Sequence, residues 1–135
     1  MNTRIQIIIL IFFTVFFRLF FLDLIEFKYD EALLTFQTYL FYQHPFIPQT
    51  GMLASTGVHN FPFFNYLLII IGLLSRNPKY LTFLIAFINV LVVILFYFLT
   101  RKIYGSTVAF ISALSLATSP WAIIFSRKIW AQDLI

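Results

Sequence analysis

Long apolar runs separated by short polar stretches are the dominant pattern of this chain. Three of these runs cover residues 5–22, 81–99 and 107–125. A run of that length forms an α-helix of about 27–29 Å, which is close to the hydrocarbon thickness of a bilayer at about 30 Å. The pattern therefore predicts an all-α, polytopic transmembrane protein with three spans.

A fourth apolar run, giving a predicted helix over about 61–75, is shorter. Asn60 stands at the expected N-cap and Pro62 falls in the first turn, so the run begins as helices commonly do. Its length of about 21 Å favours a helix that lies along the membrane surface. The alternative is a four-span topology, which distributes the basic residues more asymmetrically between the two sides. Only the three-span topology places the acidic pair at 30–31 and Asp133 on one side.

The outer loop between the first two predicted spans, residues 23–80, contains a second candidate surface helix. Leu33, Phe36 and Leu40 recur at helical spacing, and polar side chains take the opposite face. This spacing predicts an amphipathic helix over about 31–42 that rests on the membrane surface.

The composition supports a membrane location. Hydrophobic residues make up 61% of the chain and charged residues 10%, against about 45–50% and about 25% in soluble domains. The net charge of +4 comes from short basic pairs between apolar runs, which is typical of loop anchoring and contact with anionic membrane lipid, not of nucleic-acid binding. The absence of cysteine from the sequence excludes disulfides and thiolate metal sites.

Asp30 and Glu31 lie at the start of the first surface helix, and two interpretations of this pair stay open. In the structural one, Asp30 caps the helix and Glu31 adds favourable charge to its first turn, together contributing about 1 kcal/mol. In the functional one, a carboxylate at the boundary of water and hydrocarbon acts as a general base on an acceptor, or holds a divalent cation with its neighbour.

The remaining candidate residues lie near predicted helix ends. Arg127 and Lys128 follow the third predicted span. They are either anchors at the membrane interface or cations that contact the phosphate of a lipid-linked donor. In the second case Asp133 shares their polar site. His59 is either a solvent-facing loop residue or a group that positions substrate, and the two histidines form no metal motif. Arg18 is interpreted as a structural residue that can reach the interface.

Four short motifs follow one another in a distinctive order. They are YDEA in the long outer loop, HNFPFFNYLL at the second surface helix, FYFLTRKIYGS at the end of the second span and SPWAIIFSRKIWAQD at the end of the third. In this order they resemble the start of GT-C superfamily glycosyltransferases, and most closely the protein O-mannosyltransferase and aminoarabinose transferase branch. The likeness covers nearly all of this chain but only the first part of such a protein, so the expectation is a fragment without transferase activity of its own.

The resemblance implies inverting transfer of a sugar from a polyprenyl-phosphate donor to a hydroxyl or amine of a protein, lipid or glycan acceptor. Asp30 is then the catalytic general base and Glu31 its partner. Relatives often carry an arginine for the donor phosphate near the position of Thr82. The implied substrate-binding residues are His59, Arg127, Lys128 and Asp133. The implied location is a bacterial or archaeal plasma membrane, with the active-site loop on the outer face. The resemblance implies no cofactor beyond the lipid-linked donor and leaves a divalent cation open.

A different class of protein fits the same pattern. A small membrane transporter or accessory subunit would associate through the small residues of the third span, among them Ala113 and Ala117. Asp30 and Asp133 would then be interface or ion-path groups. Asn89 is the only strongly polar residue deep in a predicted span, which argues against a built-in ion path.

Overall fold

The computed structural model describes residues 2–20, 22–24, 27–54 and 57–130. Over these residues the fold is all-α and without a β-strand, which confirms the all-α part of the predicted fold class. The helices are α1 (Thr3–Leu19), α2 (Tyr29–Gln43), α3 (Phe63–Gly72), α4 (Pro78–Tyr104), α5 (Ser106–Thr118) and α6 (Pro120–Phe125), and a single 3₁₀ turn covers Leu22–Leu24. Asp133 lies outside the described residues.

Helix α4 is the one described helix that is long and apolar enough by itself to cross a membrane. It has 27 residues and spans about 40 Å. The Asn77 side chain caps its start by accepting a hydrogen bond from the Lys79 N–H at 2.9 Å, and Pro78 occupies the first turn. Gly105, with φ +83°, ends it in a conformation that favours glycine. Helix α4 contains the whole of the predicted span 81–99.

Helices α1, α4 and α5 pack side by side, and their polar contacts fix their directions. The Gln6 side-chain oxygen accepts hydrogen bonds from the Tyr97 hydroxyl at 3.2 Å and from the Ser106 hydroxyl. These bonds hold the start of α1 beside the end of α4 and the start of α5. Near the other end of α1, Arg18 donates to the carbonyl of Ala117 at 3.0 Å. Helices α1 and α5 therefore run in the same direction, and α4 runs opposite to both.

Small side chains on α5 allow this packing. Ala109, Ala113 and Ala117 recur every fourth residue, so they share one helix face, and all three are fully buried. They form one hydrophobic cluster with Leu10 of α1 and Val93 of α4, among others. The small-residue face predicted for the third span thus packs against helices of the same chain.

The predicted third span, residues 107–125, is not one continuous helix. It divides into α5 and α6 at Ser119, whose backbone is extended with φ −62° and ψ 121°. Pro120 causes the break, because proline has no N–H and disfavours helical backbone at the residue before it. The prediction of an unbroken helix over 107–125 was wrong for this reason.

Helices α2 and α3 pack against the first turns of α4. Leu34 of α2, Leu68 of α3, Leu81 of α4 and Ile129, which follows α6, belong to one buried cluster. Helix α2 covers the predicted surface helix at 31–42. Helix α3 is shorter at both ends than the predicted 61–75.

The length and start of α3 differ from expectation. Its ten residues extend about 15 Å, about half of a bilayer's hydrocarbon thickness. The residue at its N-cap is Pro62 and no side chain caps it, so Asn60 does not have the predicted capping role.

Candidate functional site

A cavity of about 550 Å³ lies where the 3₁₀ turn that follows α1, the starts of α2 and α4 and the residues after α6 meet. We name it the charged cavity, because five of its lining side chains are ionisable: Asp23, Glu31, Lys79, Arg127 and Lys128. The structure therefore brings together three residues that the sequence singled out, Glu31, Arg127 and Lys128, although about a hundred positions separate the first from the others.

Arg127 is held in the wall of the charged cavity by the end of α1. Its Nη2 group donates hydrogen bonds to the carbonyl of Phe17 and, at 2.8 Å, to that of Phe20. Carbonyls at a helix end have no intrahelical donor, and a cation there also interacts favourably with the helix dipole. Burial lowers the pKa of Arg127, yet an arginine stays charged at neutral pH. The cavity wall therefore holds a fixed positive charge.

Lys128 places a second positive charge beside Arg127. Its ammonium group lies 5.8 Å from the ring centroids of both Phe125 and Trp130, and these rings stack on each other with centroids 5.9 Å apart. Aromatic faces attract cations at this distance. Within the described part of the chain, neither Arg127 nor Lys128 is paired with a carboxylate. Both positive charges line the charged cavity.

Lys79 and Asp23 were not identified from the sequence. They form an exposed ion pair at 2.6 Å that joins the first turn of α4 to the 3₁₀ turn after α1. Lys79 and Thr82 lie three positions apart and share a helix face, and both line the charged cavity. The signal that could have found Lys79 is its place directly after Asn77 and Pro78, which start α4.

The acidic pair has two distinct environments. Glu31 is 4% exposed, lines the charged cavity, and accepts a hydrogen bond from the backbone N–H of Lys28 at 3.1 Å. Asp30 is half-buried and does not line this cavity. The expectation that Asp30 caps α2 was wrong, because the helix begins at Tyr29, ahead of the predicted start. Lys28 is then the N-cap and Glu31 sits at N3, the acidic position of a capping box.

The other two candidates are His59, which does not line the charged cavity, and Asp133. His59 lines a different cavity, between α2, α3 and the loop that joins them, and its Nδ1 lies 3.1 Å from the carbonyl oxygen of Gly51. Asp133 is outside the described residues, so its predicted place beside Arg127 stays a prediction.

A divalent cation has no obvious donor set in the described residues. They contain no group of three or more His, Cys, Asp or Glu side chains that could hold one. Glu31 and Asp23, the carboxylates of the charged cavity, already accept a backbone N–H and a lysine respectively.

Comparisons with protein-family models, with curated proteins and with solved structures give no match for this chain.

Proposed function

We propose that the charged cavity binds the phosphate of a polyprenyl-phosphate-linked sugar, and that the chain is part of a GT-C-type membrane glycosyltransferase. The observation that carries the proposal is the pair of cations Arg127 and Lys128, which line one cavity without a carboxylate partner in the described residues. A phosphate would supply the missing negative charge through charge-assisted hydrogen bonds.

The apolar surface of α1 suits the lipid part of such a ligand. Phe12, Phe16 and Phe20 follow one another along α1 with centroids 5.9 Å and 5.4 Å apart, and all three are exposed. This row ends at Phe20, whose carbonyl accepts a hydrogen bond from Arg127. In the proposed complex the polyprenyl chain lies along the row and its phosphate reaches the charged cavity.

The proposed topology has three membrane crossings: α1, α4, and α5 together with α6. Helix α1 is about 26 Å long, and the alternating directions of the three segments are those of successive crossings. Helices α2 and α3 then lie on the outer face with the charged cavity. The short length of α3 supports this topology over the four-span alternative.

The proposed reaction is an inverting displacement. The acceptor hydroxyl or amine attacks the anomeric carbon and loses its proton to Asp30, a new bond to that carbon forms, and the bond from the anomeric carbon to the phosphate oxygen breaks. The electron pair leaves with the polyprenyl phosphate, and Arg127 and Lys128 stabilise the added negative charge. Glu31 fixes the first turn of α2 and so positions its neighbour Asp30. No step requires a metal ion.

Binding of polyprenyl phosphate to the purified chain in lipid nanodiscs, measured by native mass spectrometry, tests the proposal. We expect Lys128→Gln to weaken binding about tenfold, since a hydrogen bond to a charged group contributes about 1.5–3 kcal/mol. Arg127→Gln should weaken it at least as much. Lys128→Gln is the cleaner variant, because the structure shows no backbone hydrogen bond from the Lys128 side chain among the described residues.

The matched control is Lys102→Gln, which removes an exposed lysine at the opposite end of α4. The proposal requires this variant to bind like the unmodified chain and requires polyprenol, which has no phosphate, to compete poorly. Equal losses in Lys128→Gln and Lys102→Gln, or equal competition by polyprenol, would contradict it.

A further inference from the structure

The cavity that His59 lines differs from the charged cavity in the chemistry of its lining side chains. Its volume is about 390 Å³, and the described residues that line it include no Asp, Glu, Lys or Arg. We name it the neutral cavity. Helix α2 contributes to both cavities, since Glu31 and Thr38 lie seven positions apart on one helix face, about 10 Å along the axis.

Two side-chain amides form the polar centre of the neutral cavity. The Asn65 Nδ2 group donates to the Gln37 Oε1 atom at 3.2 Å, which joins α3 to α2. Asn65 is 8% exposed and lines this cavity. The Gln37 NH₂ group and the Asn65 oxygen have no partner within the described part of the chain. They offer a donor and an acceptor side by side to a ligand.

His59 adds a second acceptor with a defined tautomer. Its Nδ1 lies 3.1 Å from the Gly51 carbonyl oxygen, which can only accept, so Nδ1 carries the proton in this contact. The neutral imidazole then has its lone pair on Nε2. The hydroxyl-bearing residue Thr50 also lines the neutral cavity.

An aromatic ring completes the lining. Phe46, in the loop after α2, is 46% exposed and lines the neutral cavity. The quadrupole of an aromatic face attracts weakly positive C–H groups. A pyranose ring has one face rich in such C–H groups and a rim of hydroxyls, each of which both donates and accepts hydrogen bonds.

We propose that the neutral cavity binds an uncharged saccharide. One sugar face packs on Phe46 while vicinal hydroxyls bond to Gln37, Asn65 and His59. The volume lies within the range of small-molecule sites, about 300–1,000 Å³, and the absence of charged side chains from the described lining favours a neutral sugar over a uronate. The proposal is independent of lipid-phosphate binding, because none of the described residues that line the neutral cavity also lines the charged cavity.

Saturation-transfer difference NMR on the whole chain in nanodiscs tests this site. Nanodiscs are needed because alkyl-glycoside detergents carry a sugar head group that would compete. The probes are neutral disaccharides of glucose, mannose and galactose, with glucuronate as the charged comparison. We expect at least one neutral disaccharide to give ring-proton signals and glucuronate to give none.

Three variants locate the binding site. Gln37→Leu and Phe46→Ala should each weaken saccharide binding about tenfold. Gln43→Leu is the matched control, because Gln43 is an exposed amide at the end of the same helix and bonds to Tyr39 outside the neutral cavity. It should leave binding unchanged.

Circular dichroism shows which variants fold. If Gln37→Leu does not fold, Phe46→Ala provides the test. The Phe46 side chain is partly exposed in a loop, so we expect its removal to leave the fold intact. The proposal is overturned if no neutral disaccharide gives a signal, if glucuronate binds as well, or if the folded cavity variants bind like Gln43→Leu.

Discussion

Glu31 and Asp30 are adjacent carboxylates that the structure separates into different roles. Glu31 is buried and bonded to the Lys28 backbone at the start of α2. Asp30 is half-buried, and the structure shows no hydrogen bond or ion pair for it within the described residues. A carboxylate that is not committed to the backbone is better placed to receive a proton than one that is, which supports Asp30 as the proposed base and Glu31 as its structural neighbour.

This division of roles predicts different effects of the two alanine substitutions on stability. Glu31→Ala should lower the free energy of unfolding by about 1 kcal/mol, because the N-terminal capping hydrogen bond is lost. Asp30→Ala should lower it by about 0.5 kcal/mol or less, through the helix dipole alone. Unfolding in a denaturing detergent measures both. A larger loss in Asp30→Ala would contradict the assignment of the cap.

At the scale of the helices, the break between α5 and α6 explains why Arg18 is buried. In a continuous helix the carbonyl of Leu116 would accept from the N–H of residue 120, but Pro120 has none. Arg18, which is 2% exposed, donates instead to the carbonyls of Leu116 and Ala117 at 3.1 Å and 3.0 Å. The structural role expected of Arg18 is present, but its side chain turns inward between helices and does not reach the interface.

The loss of stability caused by substituting Arg18 should therefore depend on whether residue 120 has a backbone N–H that can donate to Leu116. Arg18→Met should lower the free energy of unfolding by about 3 kcal/mol, since two hydrogen bonds from a charged group are lost and each contributes about 1.5 kcal/mol or more. In a Pro120→Ala background the loss should be about 1 kcal/mol smaller, because an N–H at residue 120 becomes available to Leu116. A double-mutant cycle measures this coupling. Additive effects would show that Arg18 does not replace the missing proline donor.

The sequence predicted the helices better than their ends. Helix α4 was predicted from its long apolar run over 81–99, and the structure extends it at both ends, from Pro78 to Tyr104. The break at Ser119 was missed because hydropathy is continuous across residues 107–125, whereas the local backbone effect of Pro120 overrides it. The start of α2 was misplaced because Lys28 is not a usual N-cap residue, and only the bond from its N–H to Glu31 reveals the cap.

At the scale of the molecule, part of the charged cavity was predictable and part was not. The basic pair Arg127 and Lys128 is recognisable in the sequence because it follows an apolar run. The acidic pair Asp30 and Glu31 is recognisable because it lies in a loop rich in apolar residues. The pairing of Lys79 with Asp23 joins segments more than fifty residues apart and depends on how α4 packs beside the end of α1. The neutral cavity was not predicted at all, since its amides come from two helices and carry no local motif.

The three-crossing topology predicts which positions share a side of the membrane. The chain has no cysteine, so single introduced cysteines give unambiguous labelling. Gln49→Cys in the loop after α2 and Lys128→Cys after α6 should react with a membrane-impermeant thiol reagent from the same side. Lys102→Cys should react only from the other side. Labelling of positions 49 and 128 from opposite sides would support four crossings instead.

Photocrosslinking tests whether a lipid-linked phosphate occupies the charged cavity. A polyprenyl phosphate with a diazirine close to the phosphate is irradiated with the chain in nanodiscs, and the adducts are mapped by mass spectrometry. We expect adducts within residues 22–31, 77–82 and 127–129. Lys128→Gln and unlabelled polyprenyl phosphate should reduce these adducts, and polyprenol should not. Adducts concentrated near residues 101–105, at the opposite end of α4, or equal competition by polyprenol, would contradict it.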